Sequence, residues 1–242
     1  MTRNITDTHE TEARAHLALA LDLDDLVAAL RMARPLVEYF SVAKVGLELF
    51  TAAGPETVAA LTGVGFDVFI DLKLHDIPTT VGRAARVLGA LGVSYATVHT
   101  SGGLAMVEAA TAGMAEGADS AGLRPPCVLG VTVLTSDPDA DPDVLARRAV
   151  IAAKGGCGGV VCAASDLPVV SAAAPGLRKV VPGIRPSHAS VDDQARVATP
   201  GAAIRAGADL LVIGRAVTAS ADPEAAAALV RDEVASELSL HS

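Results

Sequence analysis

Apolar and polar positions along this chain switch between two periods, and the switch recurs eight times. Residues 16–22 read His-Leu-Ala-Leu-Ala-Leu-Asp, with Leu at every second position and Ala between. That period of two is the pattern of a strand. Leu on one face would meet covering helices, and small Ala on the other would fill a crowded interior. A helical period follows over residues 23–39. Further strands are predicted at 41–46, 67–73, 95–100, 127–135, 159–164, 179–182 and 209–213. Helical stretches are predicted at 55–62, 78–90, 104–115, 142–153, after Ser165 as N-cap, within 187–206, and at 223–237. Strand-then-helix units imply a parallel sheet, and eight of them imply closure into a (β/α)8 TIM barrel. An open, doubly wound sheet would need a glycine-rich turn after its first strand, where Asp22-Leu23-Asp24-Asp25 stands. The expected organisation is a polar tail over 1–15 and a single barrel domain over 16–242, with no signal peptide.

Composition narrows the class. At 51% hydrophobic residues the chain can bury a full core and is not disordered. A net charge of −9 argues against non-specific binding to nucleic acid or anionic membranes. With no Trp and 2% aromatic residues, the stacking platforms of single-strand binders are missing. Residues 87–107 carry no Asp, Glu, Lys or Arg, as a membrane span would. They hold His99, Ser101 and four glycines, and read better as helix end, strand, turn and helix start. Cys127, Cys157 and Cys162 form neither a disulfide framework nor a paired metal motif, and fit a reducing cytoplasm as buried small hydrophobes.

The densest chemistry follows Val68-Phe69-Ile70. The run Asp71-Leu72-Lys73-Leu74-His75-Asp76-Ile77-Pro78-Thr79-Thr80 puts three charges within six residues at the carboxyl end of a buried strand. Residues two apart on a strand share a face, so Asp71 and Lys73 should point the same way. Pro78 then starts a helix. Barrel active sites lie at the carboxyl ends of the strands, where Asp22 and Lys44 also fall. Opposite charges about 4 Å apart attract by roughly 4 kcal/mol at an effective dielectric near 20, so an alternating array would keep both lysines protonated. Ordinary salt bridges at a barrel rim would give the same pattern.

A second cluster lies late in the chain. Phosphate in such barrels often binds the loops after strands seven and eight. Those loops read Pro182-Gly183-Ile184-Arg185-Pro186 and Ile213-Gly214-Arg215-Ala216. Each joins a glycine, whose N–H can approach an anion, to an arginine that grips phosphate bidentately. Either alone would pass for a solvated surface Arg, but the pair at these two positions points to a phosphorylated ligand. Thr135 and Ser136 end the fifth predicted strand, where they would bond a substrate or cap a turn. His75 reads as a structural loop residue and His99 as a satisfied interior one. No His/Cys/Asp cluster has metal-ligand spacing.

The Asp71–Thr80 run resembles the signature of the orotidine 5′-phosphate decarboxylase family in its short bacterial form. Leu19-Ala20-Leu21-Asp22, Ala43-Lys44-Val45-Gly46, Val98-His99-Thr100-Ser101-Gly102-Gly103, residues 130–136, Asp192-Asp193-Gln194-Ala195-Arg196 and both Gly-Arg loops resemble further blocks of it, in order. The resemblance implies decarboxylation of orotidine 5′-phosphate to UMP without metal or cofactor. It implies Lys73 as proton donor to C6 of the pyrimidine, with Asp71 beside the substrate carboxylate. Lys44 and Asp76 would complete the charge array, and Asp76 and Thr80 would reach the other subunit's site in a homodimer. Asp22 would bind the ribose and Thr135 the pyrimidine. Gln194, Arg215 and the Gly214 backbone would hold the phosphate, with Arg185 beside them. Thr79 stands where many relatives have Asn, and Ala216 where Pro is common. Two rivals remain at this point: a Mg²⁺-dependent lyase or aldolase acting on a phosphorylated keto-sugar, and a non-catalytic barrel that binds phosphorylated ligands.

Overall fold

Eight parallel strands close into one ring in chain order. The computed structural model describes residues 5–137, 140–186 and 198–240, with side chains from residue 10 onward. The strands are β1 (Leu17–Leu21), β2 (Val42–Val45), β3 (Asp67–Leu74), β4 (Tyr95–His99), β5 (Cys127–Val131), β6 (Gly159–Val161), β7 (Arg178–Val181) and β8 (Leu210–Ile213). Because β1 pairs with both β2 and β8, the sheet has no open edge. The α-helices are α1 (Ile5–Ala15), α2 (Leu26–Leu36), α3 (Leu47–Ala53), α4 (Glu56–Val64), α5 (Pro78–Gly89), α6 (Leu104–Ser120), α7 (Pro142–Lys154), α8 (Leu167–Ala173), α9 (Pro200–Arg205), α10 (Arg215–Thr218) and α11 (Pro223–Ser239). No described helix is long and apolar enough to cross a membrane.

The ring separates two cores. Leu17, Leu19 and Leu21 face outward into the layer between strands and helices. Ala18 and Ala20 face inward, beside Val42, Phe69, Leu129, Val180 and Val212. The Leu/Ala alternation of β1 thus has the predicted sense. Proline opens α5, α7, α9 and α11, where its missing N–H leaves no helix bond unmade. Asp25, Asp141, Thr199 and Asp222 cap α2, α7, α9 and α11 by accepting backbone N–H bonds. The three cysteines form no disulfide. Burial pushes the Cys157 thiol up to about 12, with Cys127 nearby adding to the effect, so it is inert at neutral pH.

Three expectations need correction. Residues 5–15 are helical rather than a tail, because α1 has a surface to dock on. Ala13 is fully buried, Arg14 Nε donates to the Val37 carbonyl at 2.8 Å, and Arg231 of α11 pairs with Glu10 at 3.4 Å. A separate helix, α3, follows β2 directly, with Gly46 at its N-cap. β5 stops at Val131, short of Thr135: the Thr132 N–H still reaches the Val161 carbonyl at 3.2 Å, but the Thr132 carbonyl accepts from Arg148 Nη1 at 2.6 Å. Residues 187–197 of the long predicted loop and helix lie outside the described residues, and α9 is the helix seen there.

Helices α5 and α6 pack backbone against backbone. A Cβ on Gly89 would overlap the Met114 carbonyl, one on Gly113 the Gly82 carbonyl, and one on Gly117 the Arg86 carbonyl. Glycine here gives up helix propensity so that two backbones can touch. Gly117→Ala would gain up to about 1 kcal/mol of propensity at an open site. Here the overlap wins, and thermal denaturation should record a lower Tm, with a net loss of roughly 1–3 kcal/mol. A Tm at or above the wild-type value would contradict this packing.

Candidate active site

β1 and β2 supply the first ion pair. Lys44 is in register with Ala20, whose methyl group leaves the ammonium room inside the ring. Asp22 lies two residues past Ala20, at the strand's end. Lys44 Nζ donates to Asp22 Oδ1 at 2.8 Å, with the lysine side chain 11% exposed and the carboxylate 60%. Gly46 keeps the pair open, since a Cβ there would come within 3.1 Å of Asp22 Oδ1 and 3.3 Å of Lys44 Nζ.

β3 supplies the second pair through an irregularity. Phe69 pairs with Tyr95 and Ile70 with Ala96, but the next match is Leu74 with Val98. Asp71, Leu72 and Lys73 therefore stand opposite one residue, Thr97. Lys73 takes a left-handed backbone, with φ of 50°, which costs a non-glycine residue of order 1–3 kcal/mol. Simple alternation predicts one face for Asp71 and Lys73. They do share a site, but the bulge brings them there rather than the pleat. Lys73 Nζ donates to both Asp71 oxygens, at 2.9 and 2.8 Å. Thr97 Oγ1 donates to Asp71 Oδ1 at 3.0 Å and accepts from the Lys73 N–H at 2.9 Å.

Both pairs open into a cavity of about 280 Å³ at the carboxyl ends of the strands. Its floor is apolar, from Ala20, Phe69, Val131, Val161, Val180 and Val212. Thr135 and Leu134 reach it from the loop after β5, Gly183 and Arg185 from the loop after β7, and Gly214 and Arg215 from the end of β8. Gly183 takes a φ of 76°, which suits glycine in this turn. Among the described residues, four cations (Lys44, Lys73, Arg185, Arg215) and two carboxylates (Asp22, Asp71) line the cavity, in a chain whose net charge is −9. Field lines from that excess of positive charge favour an anionic ligand.

Of the predicted site residues, Asp22, Lys44, Asp71, Lys73, Thr135, Arg185, Gly214 and Arg215 line this one cavity. Asp76 and Thr80 do not. Both are exposed beyond β3, where Asp76 Oδ1 accepts the Ile77 N–H at 2.7 Å. Gln194 lies outside the described residues. Gly46 and Thr97 escaped the sequence reading. The available signal for Thr97 was a hydroxyl at an inward position of the strand beside the charged one.

The sequence model of the orotidine 5′-phosphate decarboxylase / HUMPS family matches residues 15–230. The chain belongs to that family. An orotidine 5′-phosphate decarboxylase from Anaeromyxobacter dehalogenans is 45% identical over 225 residues, covering 87% of this chain and 94% of the relative. One from Pseudomonas syringae pv. tomato is 43% identical over 227 residues, covering 90% and 96%. The crystal structure of the Lactobacillus acidophilus orotidine 5′-phosphate decarboxylase superposes with a TM-score of 0.75 at 33% identity, covering 90% of this chain and 98% of that one. Within this orotidine 5′-phosphate decarboxylase / HUMPS barrel, the described residues contain no group of three His, Cys, Asp or Glu gathered for a metal ion.

His99 borders the second pair. Its ring lies 5.4 Å from that of His75. Burial lowers its pKa from the ordinary 6.5, and the neighbouring His75, Lys73 and Arg148 lower it further against a smaller pull from Asp71. The unfolded chain therefore takes up this proton first as pH falls. The stability held by the neutral ring is complete above the unfolded value and is lost as pH drops below about 6.5. Imidazole NMR should give a His99 midpoint below 6.5, and a midpoint at or above it would contradict the burial seen here.

Proposed function

We propose that this protein converts orotidine 5′-phosphate to UMP and CO2, as the named relatives do, in de novo pyrimidine synthesis. The observation that carries the reading is the alternation Asp22–Lys44 and Asp71–Lys73 over an apolar floor, facing two Gly-Arg loops across one cavity. The nucleotide's phosphate sits on Arg215 and the Gly214 N–H, with Gln194 and Arg185 beside it. Asp22 bonds the ribose and Thr135 the pyrimidine. The substrate carboxylate lies against Asp71.

The C6–carboxylate bond breaks, CO2 leaves, and the electron pair stays on C6. That carbanion has no obvious electron sink within the ring. The Lys73 ammonium, already held in place, stabilises the developing charge at low reorganisation cost and then transfers its proton to C6. Repulsion between Asp71 and the substrate carboxylate raises the ground state. Phosphate contacts far from C6 supply binding energy that orients the ring.

The chemistry runs without a metal or cofactor. Asp22 and Asp71 each bond an ammonium at 2.8 Å, so a divalent cation at either would sit against a lysine. This disfavours the Mg²⁺-dependent lyase, as the relatives' names do. A non-catalytic barrel would have no need of two such pairs on one apolar floor. The active unit is a homodimer in which Asp76 and Thr80 serve the partner's cavity. The exposure of both, Asp76 just before α5 and Thr80 in its first turn, supports that reading. Three cysteines outside disulfides suit a reducing cytoplasm.

Purified protein should consume orotidine 5′-phosphate by loss of pyrimidine absorbance with EDTA present, and activity abolished by EDTA would reject the scheme. Lys73→Ala should lose nearly all turnover while still binding UMP. Mixing and reassorting the Lys73→Ala and Asp76→Ala variants should restore about a quarter of wild-type activity, the statistical share when half the dimers hold one complete site. No recovery in verified mixed dimers would confine Asp76 to its own subunit.

A further inference from the structure

We propose that Thr97 is the positioning residue of the Asp71–Lys73 pair. The inference rests on the reading of Lys73 as proton donor. Thr97 does not line the cavity, so it acts through its neighbours. It is 1% exposed and stands alone opposite the three residues of the β3 bulge.

One hydroxyl performs two tasks there. A hydroxyl has one donor and two acceptor positions. The Lys73 N–H has left the strand ladder, and the Thr97 oxygen accepts it at 2.9 Å. A buried N–H without such a partner is rare in folded proteins. The hydroxyl proton is then directed at Asp71 Oδ1, 3.0 Å away, which also receives Lys73 Nζ at 2.9 Å. The backbone of residue 73 and the carboxylate of residue 71 are thus tied to a single atom of a rigid neighbouring strand. When Lys73 gives its proton to C6, the ammonium charge beside Asp71 disappears. The Thr97 donor remains, and it holds the carboxylate in place until Lys73 is reprotonated. The left-handed turn at Lys73 keeps its shape for the same reason.

Thr97→Val preserves shape and removes only the hydroxyl. Turnover per UMP-binding site, counted by titration, should fall by about 10²-fold, the penalty expected of a reacting group displaced by about 1 Å. The Kd for UMP should stay within about threefold of wild type, because phosphate and ribose are held elsewhere. Thr97→Ser should recover most of the turnover. A residue that matters only for packing would lower the Tm and the yield of sites, and would leave turnover per site alone. Three results would overturn the proposal: Thr97→Val turnover within about threefold of wild type, UMP affinity falling in step with kcat, or Thr97→Ser failing to recover. Should Thr97→Val not fold, Thr97→Ala carries the same readouts, and failure of both would assign Thr97 to stability and overturn the proposal as well. A wild-type protein that releases no CO2 from orotidine 5′-phosphate would remove the functional reading itself.

Discussion

Two ammonium groups and two carboxylates stand at the mouth of a ring whose interior is otherwise largely hydrocarbon, and the buried ones depend on their partners. An isolated charge placed against Ala20, Phe69 and Val212 would lose its hydration with nothing in return. Paired at 2.8 Å, each charge has its opposite in contact, which offsets the hydration it gives up. The rest of the barrel answers to that condition. Alanines on β1 make space for the Lys44 side chain, Gly46 clears the volume beside it, and β3 breaks register so that Asp71 and Lys73 reach the same point.

The ring supplies what the pairs need from a scaffold. Each strand is held on both sides, so a side chain at a strand's end moves little relative to its neighbours across the cavity. The arginines come instead from the loop after β7 and from the first residue of α10, just past β8. The lysines thus come from the strands and the arginines from the segments that follow them, an arrangement that suits a nucleotide held by its phosphate and altered at its base.

Much of this could be read in the chain beforehand, for reasons visible in particular residues. Leu17 to Leu21 alternate large and small without interruption, so their facing was readable. Pro78, Pro142 and Pro223 mark helix starts that local backbone chemistry dictates. Asp22, Lys44, Asp71 and Lys73 stood out because charge is rare beside such apolar runs. What stayed hidden depends on tertiary neighbours. Helix α1 exists because Val37 and α11 give it partners. Just past β5, the Thr132 carbonyl is taken by Arg148, sixteen positions away in the chain. Thr97 is an ordinary strand residue until the bulge across from it needs a hydroxyl. The family resemblance supplied roles for Asp76, Thr80 and Gln194 that periodicity alone does not assign.

Lys73 carries its ammonium on a backbone shape that glycine would adopt more readily. If foldedness were the sole criterion, position 73 would drift toward glycine and the bulge would relax. The chain is therefore under opposed demands at this one residue. A mutational survey scored only on solubility would rank the lysine as replaceable, and one scored only on chemistry would miss that the residue strains its own strand. Thermostabilising this barrel by easing strained positions would lead directly to the residue proposed as the proton donor.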